Sequence, residues 1–164
     1  MIGKNVQDSM NDQINKELFS SFLYLSMAAY FEEQNLPGFA HWMRLQADEE
    51  REHAMKFYEF LIERGGRVEL KAIAAPSTEW KSPLDAAAEV AAHEAKVTAS
   101  IHALYELALK EKDYPSQIML QWFISEQVEE ERNASEIVAT LKMIEAHETA
   151  ILQLDHRLSK RGAE

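Results

Sequence analysis

The sequence contains no cysteine. Disulfides, zinc–thiolate sites and cysteine nucleophiles are therefore excluded. Glycine and proline are scarce, five and four in 164 residues, so few points exist at which a long element must break. No apolar run approaches the ~18 residues that a membrane helix needs. Basic residues are in deficit: 17 Lys and Arg stand against 28 Asp and Glu, a net charge of −11. That balance disfavours nucleic acid, whose phosphate backbone wants basic patches, and is compatible with cations. The start, Met1 to Gln13, is polar and has no basic region leading into an apolar one. No signal peptide and no membrane contact are expected, and a cytoplasmic location is the default. The length suits one domain over residues 1–164 with a real core.

What is there is helical period. A first helix is expected from about Asn5 to Gln34, with Met10, Ile14, Glu17, Ser21, Tyr24, Ala28 and Phe31 on one face. Asn35-Leu36-Pro37-Gly38 stops it and reverses the chain. A second helix, about Phe39 to Arg64, ends at Gly65-Gly66, a C-cap signal. Residues 67–82 have no period and are too long for a tight turn, which fits a crossover along a bundle. Ser82-Pro83 opens a third helix, with Ser at the N-cap and Pro in the first turn. Asp113-Tyr114-Pro115 breaks it before a fourth, about Ser116 to Ala146. A short amphipathic segment, Thr149 to Leu158, closes the chain. Its face of Ile151, Leu154 and Leu158, with Leu152 beside it, needs cover, and other subunits are the expected source. The fold class is all-α: an antiparallel four-helix bundle with a long crossover between helices 2 and 3 and a short fifth C-terminal helix.

Each stripe is interrupted near its middle by polar residues. They are Glu17; Glu50 with His53; Glu94; and Gln127 with Glu130. A lone Glu-x-x-His in a Glu-rich helix is usually a solvated face. Here the spacing repeats: Glu17 precedes Glu50 by 33 residues and His53 by 36, and Glu94 precedes Gln127 and Glu130 by the same intervals. The two helical hairpins are thus equivalent at an offset of 77 residues. Glu17 lies about 26 Å back from the first turn, and Glu50 and His53 about 17 and 21 Å beyond it, at ~1.5 Å per residue. The six groups therefore fall at similar height on neighbouring helices.

Burying four carboxylates with no basic partner in any stripe is very costly. Either they are largely protonated or divalent cations neutralise them. Carboxylates with one imidazole suit iron or manganese, and zinc less exclusively. Di-iron and di-manganese bundles take one Glu from each of two helices and Glu-x-x-His from each of the others. This chain departs from that form at Gln127 and Glu130, so its two metal positions should differ. Met27, Met43 and Met55 read as core filler. Trp42, Trp80 and Trp122 read as packing. His41, His102, His147 and His156 read as surface or contact histidines, and His93 adjoins Glu94 but points off its face.

The chain resembles the non-haem bacterial and archaeal ferritins over essentially its whole length. The marks are N-x-x-I-N-K-E-L around Glu17, E-E-R-E-H at Glu49 to His53, E-R-G-G-R-V-E-L from Glu63, His93-Glu94, and E-Q-V-E-E-E from Glu126. The resemblance implies a ferroxidase centre that oxidises Fe2+ with O2 or H2O2 and an iron-storage role. Glu17, Glu50 and His53 would hold one iron. Glu50 would bridge to a second, held by Glu94 and Glu130 with Gln127 beside it. Glu49, Glu126 and Glu129, with Glu130 shared, would form a third site. Tyr24 occupies the position of a tyrosine near the di-iron centre. The resemblance further implies a homo-oligomeric shell of twenty-four subunits, with Thr149 to Leu158 at its four-fold contacts. Haem-binding bacterioferritins are a worse match: they carry Met where this chain has Arg51, and a second Glu-x-x-His, so no haem is expected. The carboxylates that line eukaryotic three-fold pores are here Gln117 and Leu120. Two rival readings use the same residues. One is a rubrerythrin-like di-iron peroxidase, disfavoured because no cysteine exists for a rubredoxin-type site. The other is a structural bundle that binds ions incidentally.

Overall fold

The computed structural model describes residues 1–145 and 147–162. It contains α1 (Lys4–Glu33), α2 (Pro37–Glu63), α3 (Pro83–Lys110), α4 (Tyr114–Ile144) and α5 (Glu148–Leu158). No strand occurs among the described residues. α2 starts two residues earlier than the sequence suggests because Pro37 itself fills the first turn, where its missing N–H costs nothing. α4 likewise starts at Tyr114, with Asp113 accepting a hydrogen bond from the Ser116 amide at 3.3 Å. Ser82 caps α3 by accepting from Asp85 N at 3.1 Å. The expected end of helix 4, Ala146, lies outside the described residues. Gly65 closes α2 with φ +68°, a conformation that side chains resist.

α1 packs most extensively on α2, and α3 on α4; α1 also faces α3. The core is divided. One apolar cluster gathers Leu23 to Phe31 of α1, Phe39 to Ala47 of α2, Ala86 to Val90 of α3 and Ala134 to Leu141 of α4. The other gathers Val6 to Ile14, Ala54 to Leu61, Val97 to Ala108, and Leu120 with Phe123. On every helix the polar interruption lies between its contributions to the two clusters. The clusters thus act as lids above and below one polar layer.

Residues 64–82 run beside α1 as a strap. Arg67 N donates to Gln7 Oε1 at 2.9 Å, Glu69 N to Asn11 Oδ1 at 2.8 Å, Asn15 Nδ2 to Ala72 O at 3.1 Å and Ser26 Oγ to Ser77 O at 2.6 Å. Both chains advance in the same direction. From Gln7 to Ser26 a helix rises about 28 Å, and from Arg67 to Ser77 extended chain covers about 33 Å, so the two keep pace. The pins also satisfy backbone groups that have no ladder of their own.

α5 corrects one expectation. Its cover comes from its own bundle: it packs on α2 and α4, and Leu154 and Leu158 are buried there. Leu152 alone of that group stays exposed, at 57%. Asp155 Oδ1 accepts from Phe39 N at 2.9 Å and so caps the start of α2. Gly38 is required at this crossing, since a Cβ there would lie 1.8 Å from the Asp155 carbonyl oxygen. A second correction concerns Met55, which is 40% exposed and fills no core; Met27 and Met43 are buried as expected. No helix among the described residues is long and apolar enough to cross a membrane.

Candidate metal centre

The polar layer is almost dry. Glu17, Glu50, His53, Glu94, Gln127 and Glu130 are each at most 4% exposed. One ligand atom from each of Glu17, Glu50 and His53 lies within 4.8 Å of the others, the one such group among the described residues. His53 Nδ1 faces Glu50 Oε2 at 3.6 Å, as expected of residues three apart on a helix. The imidazole is held edge-on by Trp122 and Phe123, with ring centroids 5.4 and 5.9 Å away.

Three carboxylate oxygens in this group, Glu17 Oε2 and both oxygens of Glu50, are buried without a hydrogen-bond partner. Buried polar groups are nearly always paired, and an unpaired one costs about 1–3 kcal/mol, more if charged. Burial, followed by the charge of Glu50, pushes the Glu17 carboxyl well above the usual range. Burial, then Glu94, does the same to Glu50. Converging oxygens and an imidazole are what a divalent first-row cation takes. Such an ion would supply the missing partner charge.

The second hairpin is arranged differently. Tyr24 Oη donates to Glu94 Oε1 from across the bundle. Gln127 Nε2 donates to Glu94 Oε2 and to Thr98 Oγ1, both at 3.1 Å. Burial raises the Glu94 carboxyl, and these two donors partly offset it. Burial, then the charge on Glu94, pushes Glu130 up to about 7. Tyr24 is itself raised well above its ordinary value by burial and by Glu94 and Glu50, so it stays a neutral donor.

The remaining candidate residues do not converge. Glu49 is half-buried and its carboxylate is taken by Arg161, at 3.0 and 2.8 Å. Glu129 is exposed and sits 3.8 Å from Arg132, and Glu126 is half-buried. His93 turns off the site, sharing a 2.7 Å hydrogen bond with Ser20. His102, His147 and His156 are exposed; His41 is half-buried against the Arg161 carbonyl.

Comparison with known proteins decides the family. The Ferritin-like domain family matches residues 7–144. This chain belongs to the ferritin family. It is similar to the non-haem ferritins in particular. A bacterial non-heme ferritin of Bacteroides fragilis is 40% identical over 161 residues, 98% of this chain and 100% of that one. One from Staphylococcus haemolyticus is 43% identical over 131 residues, 80% of this chain and 79% of that one. Among solved structures, an open-pore ferritin from the hyperthermophilic archaeon Archaeoglobus fulgidus is 48% identical, with a TM-score of 0.97 over 98% of this chain and 99% of that one.

Within this ferritin, sequence reasoning missed three residues at the site. Gln13 Nε2 donates to Glu17 Oε1 at 2.8 Å. Ser100 Oγ donates to Gln13 Oε1 at 2.6 Å, and Lys16 Nζ to Ser100 Oγ at 2.5 Å, so a polar chain joins Glu17 to the surface. Gln46 Nε2 donates to Glu130 Oε2 at 2.9 Å. A signal for both glutamines existed: each precedes a Glu of the polar layer by four residues, and they are 33 apart like Glu17 and Glu50. The third is Arg161, a basic partner that no helical stripe supplies.

Proposed function

We propose that the chain is an iron-storage protein that oxidises Fe(II) to Fe(III) with O2 or peroxide at a paired ferroxidase site. The observation that carries the reading is the set of three unpartnered carboxylate oxygens on Glu17 and Glu50 beside the His53 imidazole. Fe(II) is the substrate. Glu17, Glu50 and His53 would hold one ion. Glu50 would bridge to a second, held by Glu94 and Glu130, with Gln127 beside it. Anionic oxygens favour Fe(III) over Fe(II), so the same ligands that bind the substrate stabilise its oxidised form. Gln127, whose amide is engaged with Glu94, adds no charge and makes its side the weaker one. Tyr24 holds Glu94 from the opposite hairpin and supplies a proton donor next to the site.

Glu49, Glu126 and Glu129, with Glu130 shared, are proposed as a third iron position through which oxidised iron leaves the pair. The product is proposed to collect as ferric oxide-hydroxide within a hollow homo-oligomeric shell of twenty-four copies in the cytoplasm, residues 1–164 forming one domain, with α5 near the four-fold contacts.

The test is aerobic addition of Fe(II) to the assembled protein. Wild type should develop Fe(III)-oxo absorbance quickly, and a Glu50→Ala/His53→Ala variant slowly. Equal rates would sink the site. Size-exclusion chromatography of the same samples reads the shell, and a small oligomer would rule it out.

A further inference from the structure

Arg161 lies beyond the last helix, yet its side chain is held at three points. Its guanidinium rests over the Trp42 ring, 4.9 Å from the centroid. Nη2 donates to both Glu49 oxygens, at 3.0 and 2.8 Å. Nη1 donates to Gln46 Oε1. Its own carbonyl oxygen meets His41 Nε2 at 2.9 Å, which anchors the backbone as well. The other end of Gln46 donates to Glu130 at 2.9 Å. An amide has one accepting and one donating end. With a guanidinium on one side and a carboxylate on the other, only one orientation of Gln46 satisfies both. Arg161 therefore fixes the polarity of the amide that holds Glu130.

We propose that Arg161 is a tethered counter-ion that competes with a third metal ion for Glu49 and, through Gln46, positions Glu130. The inference deepens the proposed function, since it rests on reading Glu49 as an iron ligand. A cation arriving at Glu49 must displace a charge-assisted pair in which one guanidinium nitrogen meets both carboxylate oxygens, and must approach a fixed positive charge. Iron leaving the paired site is thereby delayed until the tail lets go. The arrangement delivers the competing charge from within the same subunit, so its local concentration does not fall on dilution.

The experiment uses Tb3+, a redox-inert oxygen-seeking cation, bound to the assembled shell and read by tryptophan-sensitised emission. Arg161→Gln should bind Tb3+ about two- to fivefold tighter than wild type, the scale of one partly exposed ion pair. The gain should disappear in Arg161→Gln/Glu49→Gln. Arg161→Lys, which keeps the charge, should stay near wild type at low salt, and the difference between Gln and Lys should shrink at high salt. A merely structural tail would shift thermal stability and leave these affinities and their salt dependence unmoved. Unchanged affinity in Arg161→Gln, a gain that survives loss of Glu49, or Lys behaving as Gln would each overturn the proposal. The ferroxidase reading fails separately, by equal Fe(II) oxidation in the Glu50→Ala/His53→Ala variant, because the Tb3+ titration involves no oxidation.

Discussion

The two hairpins share spacing and the positions of their polar layer, but not the residues that support it. In α1 and α2 the layer is lined by Gln13, Tyr24 and Gln46. The equivalent positions 77 residues later are Val90, Ile101 and Phe123, all buried and apolar. The first hairpin reaches across to both of the second hairpin's carboxylates: Tyr24 holds Glu94 together with Gln127, and Gln46 holds Glu130. The first hairpin's Glu17 is held by its own Gln13. A repeat that is two-fold in backbone is one-sided in chemistry. One half gathers a carboxylate and imidazole group with unpartnered oxygens, and the other takes part of its support from across the bundle.

The strongest challenge to this asymmetry compares ligands across it. Glu50→Ala should weaken Zn2+ binding by more than about a hundredfold, and Gln127→Ala by only about tenfold, the low end of the roughly 10–100-fold that outer or weak partners are worth. Calorimetry on the metal-free shell reads both, and equal losses would erase the distinction. Next comes pH. Glu130 is raised from 4.5 to about 7 in the folded protein. The native state thus keeps a proton that the unfolded chain gives up above its own lower pKa. The stability this lends is fully present below 4.5 and lost as pH rises through about 7. The loss is on the order of 3 kcal/mol for this group. Glu17 and Glu50 shift in the same direction and add to it. Denaturant unfolding of metal-free protein at pH 5 and pH 8 checks the sign, and saturating Zn2+ should reverse the trend by neutralising the ionised layer.

A smaller effect sharpens the cross-hairpin link. Gln46→Leu should lower cation affinity about tenfold by freeing Glu130, although Gln46 itself binds no metal in this reading. If the same change in Gln13 were silent, the Glu17 side would be shown to hold its geometry without help. Smallest is a control on scaffold alone. Ser82→Ala removes the α3 cap and should cost about 1 kcal/mol in unfolding free energy, with cation affinity unchanged. A drop in affinity would mean that the layer senses the ends of the second hairpin.

Much of this was legible in the sequence because period and interval are geometric. A stripe at helical spacing tells which face is buried, and a polar residue within it tells where the layer lies. Equal intervals of 33 and 36 residues place Glu17, Glu50, His53, Glu94, Gln127 and Glu130 at one height. Helix ends moved by a few residues, because Pro37 and Pro115 sit inside first turns rather than before them. Arg161 was not legible: a single residue past the last helix has no period, and its reach depends on how α5 docks. The cover over Leu154 and Leu158 was missed for the same reason, since an amphipathic face does not name its partner. Met55 shows the converse, an apolar residue on a helix that faces outward and joins neither apolar cluster.

The strap of residues 64–82 is pinned to α1 side chains along most of its length and meets α3 near its end, where Trp80 Nε1 donates to Glu89 Oε2 at 2.6 Å. Were the chain severed near Pro76, the first fragment would keep its hairpin and much of its pinned strap, and the second its own turn. Each would expose one half of a carboxylate layer between two apolar lids. Reassembly would press four glutamates together, so the fragments would join weakly alone and firmly around metal. Cut there, the association of the two parts would report any cation bound between them.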